Sequence, residues 1–152
     1  MTKEDFVYLI QNDTTVGFCS QNEEKLANAK QRRKSQKNLQ TLSSFCLLRT
    51  KTRVAKKYKK LVRRAKKTTF VLPSFFTQNQ AFRIIQKNDP YYKILKDFAC
   101  LFSSSANKTK QDFNLAYAKD KADVWIEDFR GFSQNKPSKI LKLSKNKIIK
   151  IR

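Results

Sequence analysis

At 152 residues the chain is long enough for one domain and short for two, and 39% hydrophobic residues are enough for a core. Thirty-four Lys and Arg against 12 Asp and Glu leave a formal charge of +22, a balance that repels itself unless anions bind, so phosphates, nucleic acid or anionic lipid are the expected partners. The absence of His excludes Ser-His-Asp and Cys-His catalysis, and the three scattered Cys have no zinc-site spacing, so chemistry must rest on positioning and electrostatics.

Met1-Thr2-Lys3-Glu4-Asp5 lacks the basic region and apolar core of a signal peptide, and no apolar run approaches the roughly 20 residues that span a bilayer. Cys19, Cys46 and Cys100 lie in apolar runs and read as buried free thiols of a reducing compartment. A soluble, cytoplasmic protein with no membrane partner is the expectation.

Phe6–Ile10 suits a buried strand, followed by a polar loop through Gln11–Thr15 to Gly17. Asn22 with Glu23 and Glu24 reads as an N-cap with first-turn acids, opening a helix of about three turns through Leu26, Ala29 and Lys30. Leu42–Leu48 reads as a strand. Residues 49–67 hold eleven Lys and Arg and no acid, with Val54, Tyr58, Leu61 and Val62 at helical spacing, which predicts an amphipathic helix with one basic face. Thr68–Leu72 is β-branched and apolar, a strand, and Pro73 to Asn79 connects it to another at Phe82–Ile85.

Pro90 opens a helix over Tyr91–Phe98. Phe98-Ala99-Cys100-Leu101-Phe102 then reads as a buried strand that runs into Ser103-Ser104-Ser105-Ala106-Asn107. A polar helix near Gln111–Ala118, a strand at Ala122–Ile126 and a hairpin of Pro137–Leu143 with Ile148–Ile151 complete the chain. Helices and strands interleave throughout, so one α/β domain over residues 1–152 with a mixed sheet is predicted.

Side chains two apart point the same way on an extended chain. Ser103, Ser105 and Asn107 therefore offer two hydroxyls and an amide to one ligand at the carboxyl end of a strand, although the same run also reads as an ordinary Ser-rich loop. Lys30 and Arg32 converge on one anion only if the helix has ended there, and otherwise form a solvated basic helix end. Arg83 enters an apolar run, an odd place for a charge without an anionic partner, and Arg152 follows the hairpin.

In combination these residues resemble a known pattern. Thr14 before Gly17, Lys30-Gln31-Arg32, the strand Thr69-Phe70-Val71-Leu72, Arg83, Ser105-Ala106-Asn107, Pro137-Ser138 and Arg152 stand in the order of the threonylcarbamoyl-adenylate synthase family, whose catalytic unit is the YrdC-like domain. The resemblance spans roughly residues 6–152, and the interval from Arg83 to Ser105 matches that between the family's Arg and the Ser of its Ser-Ala-Asn signature. There are departures. Asn12 stands at the family's first Thr, Arg33 at a Pro, Ala65-Lys66-Lys67 at a Pro-Gly-Pro turn, Ile85 and Lys87 at a Pro and a His, and Lys108-Thr109 at Ser-Gly; Lys37 aligns with a second Lys only across an insertion.

The resemblance implies a single YrdC-like domain with a twisted, mixed parallel and antiparallel open sheet, helices around it and a basic concave cleft. It implies a nucleotidyltransferase, L-threonylcarbamoyladenylate synthase. Such an enzyme makes threonylcarbamoyl-AMP and pyrophosphate from L-threonine, bicarbonate and ATP for the threonylcarbamoyladenosine modification of tRNA next to the anticodon. By position Lys30 and Arg32 would be catalytic. Lys30, Arg32, Ser105, Asn107 and Arg152 would bind ATP, and Thr14, Arg83, Ser103 and Ser138 would bind threonine and the carbamate. Mg²⁺ would arrive on ATP, with no metal site of the protein's own. The implied partners are tRNA or double-stranded RNA on the basic surface, and a threonylcarbamoyl transferase complex that receives the product. The alternative is an RNA-binding module without catalysis, which uses the basic face of residues 49–67.

Overall fold

In the computed structural model, which describes residues 2–33, 38–76 and 78–152, the polar stretch after the first strand is the turn of a hairpin. Strands β1 (Tyr8–Gln11) and β2 (Val16–Ser20) pair antiparallel, with Tyr8 across from Cys19 and Gln11 across from Val16. The predicted loop therefore gives way at Val16 to a strand that the sequence disguises with Gly17.

Helix α1 (Glu23–Lys30) begins as expected at Asn22, whose side chain accepts hydrogen bonds from the backbone N–H groups of Glu24 and Lys25. It is shorter than predicted. Gln31 adopts a left-handed conformation (φ 53°) and its N–H closes the helix on the carbonyls of Ala27 and Asn28.

Strand β3 (Leu39–Leu42) is followed by a correction. Phe45–Lys51 forms helix α2 where a strand over Leu42–Leu48 was expected. Ser44 is extended and its hydroxyl accepts from the Leu47 N–H, an N-cap that turns a short apolar run into a helix. Cys46 is consequently exposed rather than buried, whereas Cys19 is buried, and all three thiols are free.

The single basic helix over residues 49–67 is likewise divided. A 3₁₀ turn at Lys56–Tyr58 leads into α3 (Lys59–Arg64), and Val54, Tyr58 and Val62 pack inward as expected, while Leu61 is on the surface. Strand β4 (Thr68–Leu72) coincides with its prediction, and β5 (Gln80–Ile84), α4 (Pro90–Leu95), β6 (Cys100–Ser105), α5 (Leu115–Lys121), β7 (Val124–Ile126), β8 (Lys139–Leu143) and β9 (Ile148–Lys150) follow. Asp89 caps α4 with Pro90 in its first turn.

The backbone gathers into two units, each built from two stretches of chain. Met1–Asn38 with Leu101–Pro137 carries strands in the order β7-β1-β2-β6. In it β7 is parallel to β1, and the other pairs are antiparallel. Leu26 and Ala29 of α1 and Ala118 of α5 cover Leu9, Val16 and Phe18 in one apolar cluster.

Leu39–Cys100 with Ser138–Arg152 carries the order β3-β5-β4-β8-β9. Its pairs alternate parallel, antiparallel, parallel and antiparallel. Phe45, Leu48, Val54, Tyr58 and Val62 pack there on Phe70, Phe82 and Leu143. Mixed pairing and interleaved helices make the class α/β, as predicted. Among the described residues no helix is long and apolar enough to cross a membrane.

Candidate functional site

In the first unit the site is organised around one ammonium group. Lys30 is 2% exposed, and its Nζ donates to the carbonyl of Ser105 (2.6 Å), the Ser105 hydroxyl (3.1 Å), the Asn107 carbonyl (2.6 Å) and Asn107 Oδ1 (2.8 Å). The cation thus folds the chain after β6 around itself. Burial, and next the Arg32 charge, pull its pKa down to about 8.

The helix terminus decides how Lys30 and Arg32 are placed. With Gln31 left-handed, α1 stops between the two cations, which is the condition for them to serve one anion. Arg32 is half-buried; Nη1 donates to Asn38 Oδ1 (3.3 Å), while Nε is buried and, among the described residues, has no partner. Its burial lowers the guanidinium pKa. A buried donor on a permanent cation is suited to an anionic ligand.

Ser103 and Ser105 share one face of β6, where the antiparallel register sets them across from Cys19 and Gly17. Asn12 Nδ2 donates to the Ser103 hydroxyl (2.7 Å), and Cys19 Sγ lies 3.4 Å from Asn12 Oδ1. A Cβ at Gly17 would stand 2.6 Å from Asn12 Nδ2 and 2.9 Å from the Ser104 carbonyl, so Gly is required there by close approach. Thr14 is buried in the same β1–β2 turn. Arg130, absent from the sequence reading, pins that turn, donating to the carbonyls of Gln11 (2.7 Å) and Asn12 (3.0 Å) while its hydrogen bonds hold the Asp128 carboxyl below its usual pKa.

In the second unit Arg83, Ser138 and Arg152 are brought together by a residue that the sequence reading did not single out. Arg83 is 5% exposed and donates through Nε (3.1 Å) and Nη2 (2.9 Å) to Thr69 Oγ1. That hydroxyl lies 3.0 Å from the Ser138 hydroxyl, and Arg152 donates to the Ser138 carbonyl (3.0 Å) and hydroxyl (3.4 Å). The chain Arg83, Thr69, Ser138, Arg152 links two guanidinium groups through two hydroxyls. Its signal is register: Phe70 faces Phe82, so the next step of the antiparallel ladder sets Thr69 across from Arg83.

Lys37, the candidate second lysine, lies outside the described residues. Among the described residues no three His, Cys, Asp or Glu side chains gather as a metal site would require.

No family model and no curated protein sequence matches the chain. Solved structures do. The crystal structure of P. abyssi Sua5 complexed with L-threonine aligns with 99% of this chain and 51% of its own at a TM-score of 0.79 and 15% identity. The chain has the YrdC-like fold. Of the other structures with this fold, E. coli YciO aligns with 97% of this chain and 82% of its own (TM-score 0.77, 14% identity). Full-length HypF in the phosphate- and nucleotide-bound form aligns with 99% of this chain and 27% of its own (TM-score 0.76, 13% identity). The chain therefore spans about half the length of the P. abyssi Sua5 structure, and YrdC-like architecture accounts for nearly all of it.

Proposed function

We propose that the chain is a divergent, cytoplasmic member of the threonylcarbamoyl-adenylate synthase family, a nucleotidyltransferase that joins L-threonine, bicarbonate and ATP into threonylcarbamoyl-AMP and pyrophosphate. The observation that carries this reading is the buried Lys30 ammonium, bound by Ser105 and Asn107 and adjoined by Arg32, whose buried Nε has no partner among the described residues. A fold shared with proteins bound to threonine, or to phosphate and nucleotide, supports the same chemistry.

The threonine amine adds to bicarbonate with loss of water, forming an N–C bond and a carbamate. A carbamate oxygen then attacks the α-phosphorus of ATP, whose bond to the pyrophosphate oxygen breaks. Both reactants are anions, so the protein's task is to hold them close and neutralise the charge on the leaving pyrophosphate. Lys30, Arg32, Ser105, Asn107 and Arg152 take the nucleotide and its phosphates in this reading, and Mg²⁺ comes as part of the ATP substrate. Thr14, Arg83, Ser103 and Ser138 take threonine and the carbamate. The unstable product passes to a threonylcarbamoyl transferase for tRNA modification.

A second reading, RNA binding without catalysis, is favoured by how charge is divided. The second unit has 21 Lys and Arg against two acids, or +19, whereas the first has 13 against ten, or +3. Purified protein incubated with ATP, bicarbonate and L-threonine separates the two. Threonine-dependent pyrophosphate supports the synthase, and none from folded protein overturns it in favour of the binding module.

A further inference from the structure

The second unit has an open groove of about 960 Å³, formed between the 3₁₀ turn at Lys56–Tyr58, the segment after β4 and the end of β8. Its floor is apolar, made by Val54, Leu72 and Leu143. Four exposed cations, Arg53, Lys56, Lys59 and Lys145, stand around it with no carboxylate among the lining residues. Among the described residues, none of the four charged side chains is held by a hydrogen bond, an ion pair or an aromatic ring. Their neighbours differ: Lys57 lies over the Tyr58 ring and donates to the Asn146 carbonyl, and Arg63 lies over Phe45.

The groove also has an aromatic wall. Phe75 is 61% exposed, yet its backbone is fixed, because the Phe75 N–H donates to the Lys51 carbonyl (2.9 Å), the Thr52 hydroxyl donates to the Pro73 carbonyl and Thr52 bridges Ser74. A large apolar ring held out of the core beside unpaired cations is arranged for a ligand with both a flat apolar face and negative charge.

We propose that this groove binds an unpaired segment of RNA, one base stacked on Phe75 over the apolar floor and the flanking phosphates on Arg53, Lys56, Lys59 and Lys145. The volume is at the upper end of the roughly 300–1,000 Å³ of small-ligand pockets, which leaves room for more than a single base. A positively charged groove with an aromatic platform is the physical basis of single-strand binding, whereas paired bases keep their faces inside the duplex. An anionic membrane would meet the cations and Phe75 but leave a concave floor unfilled. The proposal does not depend on the synthase reading, because the groove lies outside every residue assigned to that reaction.

The test is fluorescence anisotropy of the full chain with a labelled oligouridine, a labelled RNA duplex of equal length and, by sedimentation, phosphatidylserine vesicles. The expected result is tighter binding of the single strand than of the duplex. Phe75→Ala should weaken the single strand about tenfold or more without changing the salt slope, and Phe75→Trp should restore binding and show fluorescence quenching by the bases. Replacing the four cations by Ala should flatten the slope of log affinity against log salt by roughly 3, at about 0.7 for each phosphate that is no longer neutralised. All of these side chains are on the surface, and circular dichroism checks that the variants fold. Equal affinity for the duplex, indifference to Phe75→Ala, or vesicle binding without RNA binding would each overturn the proposal. Pyrophosphate release, measured on the same variants, should be unchanged and separates failure here from failure of the synthase reading.

Discussion

Lys30 is where the chemistry of single residues is most exposed to test. Its amine loses a proton near pH 8 in the folded chain and near 10.5 when unfolded, so between these values the unfolded state holds more protons and this residue's contribution to stability rises with pH. Bound phosphate reverses the preference, because an anion favours the ammonium form. ATP affinity should therefore fall as pH rises past about 8, with proton uptake on binding seen by calorimetry in buffers of different ionisation enthalpy. Lys30→Met should abolish that uptake. It should also destabilise the fold by roughly 1–3 kcal/mol, read by urea unfolding, since the carbonyls of Ser105 and Asn107 lose a charged donor. Arg32→Ala should leave stability nearly unchanged but cost about 1.5–3 kcal/mol of ATP binding, tenfold to more than a hundredfold by the same calorimetry.

Secondary elements were legible where their end signals are unambiguous. Asn22 before two Glu, Pro90 at a helix first turn and the β-branched run Thr68–Leu72 each gave the right element at nearly the right place. The Phe45–Leu48 run misled because four apolar residues in a row suit a buried strand or a helix equally, and only the Ser44 cap decides between them. Ser44→Ala should therefore cost about 0.5–2 kcal/mol, measured by urea unfolding, with helical signal lost at 222 nm. The site shows the same division. Lys30, Ser105 and Asn107, which the resemblance groups in one candidate site, are joined by hydrogen bonds, but Thr69 is an ordinary strand residue until the register of β4 on β5 sets it against Arg83.

Over the whole molecule the dominant feature is the charge imbalance of its two units. Twenty-one cations against two acids in the second unit repel one another in the native state, and the repulsion is relieved when ions screen it. Raising sodium chloride from about 0.05 to 0.5 M should increase the melting temperature by a few degrees, the shift that about 1 kcal/mol produces in a chain of this size. Differential scanning calorimetry checks it, and a melting temperature that falls with salt would mean that attractive pairs dominate instead.

The interleaving of the two units also sets an order of events during synthesis. The first unit lacks β6, α5 and β7 until residues from Leu101 onward have been made, and by then the whole of Leu39–Cys100 has already been synthesised. That earlier segment must wait in turn, its β4 edge open, for β8 to arrive some seventy residues later and lie parallel to it, Thr68 beside Lys139. Ser138 reaches Thr69 only in that step, so the link between Arg83 and Arg152 cannot form before β8 and the residues after it have been made. A growing chain therefore passes through a highly basic, half-finished sheet whose β4 edge is open to wrong pairing until β8 is made.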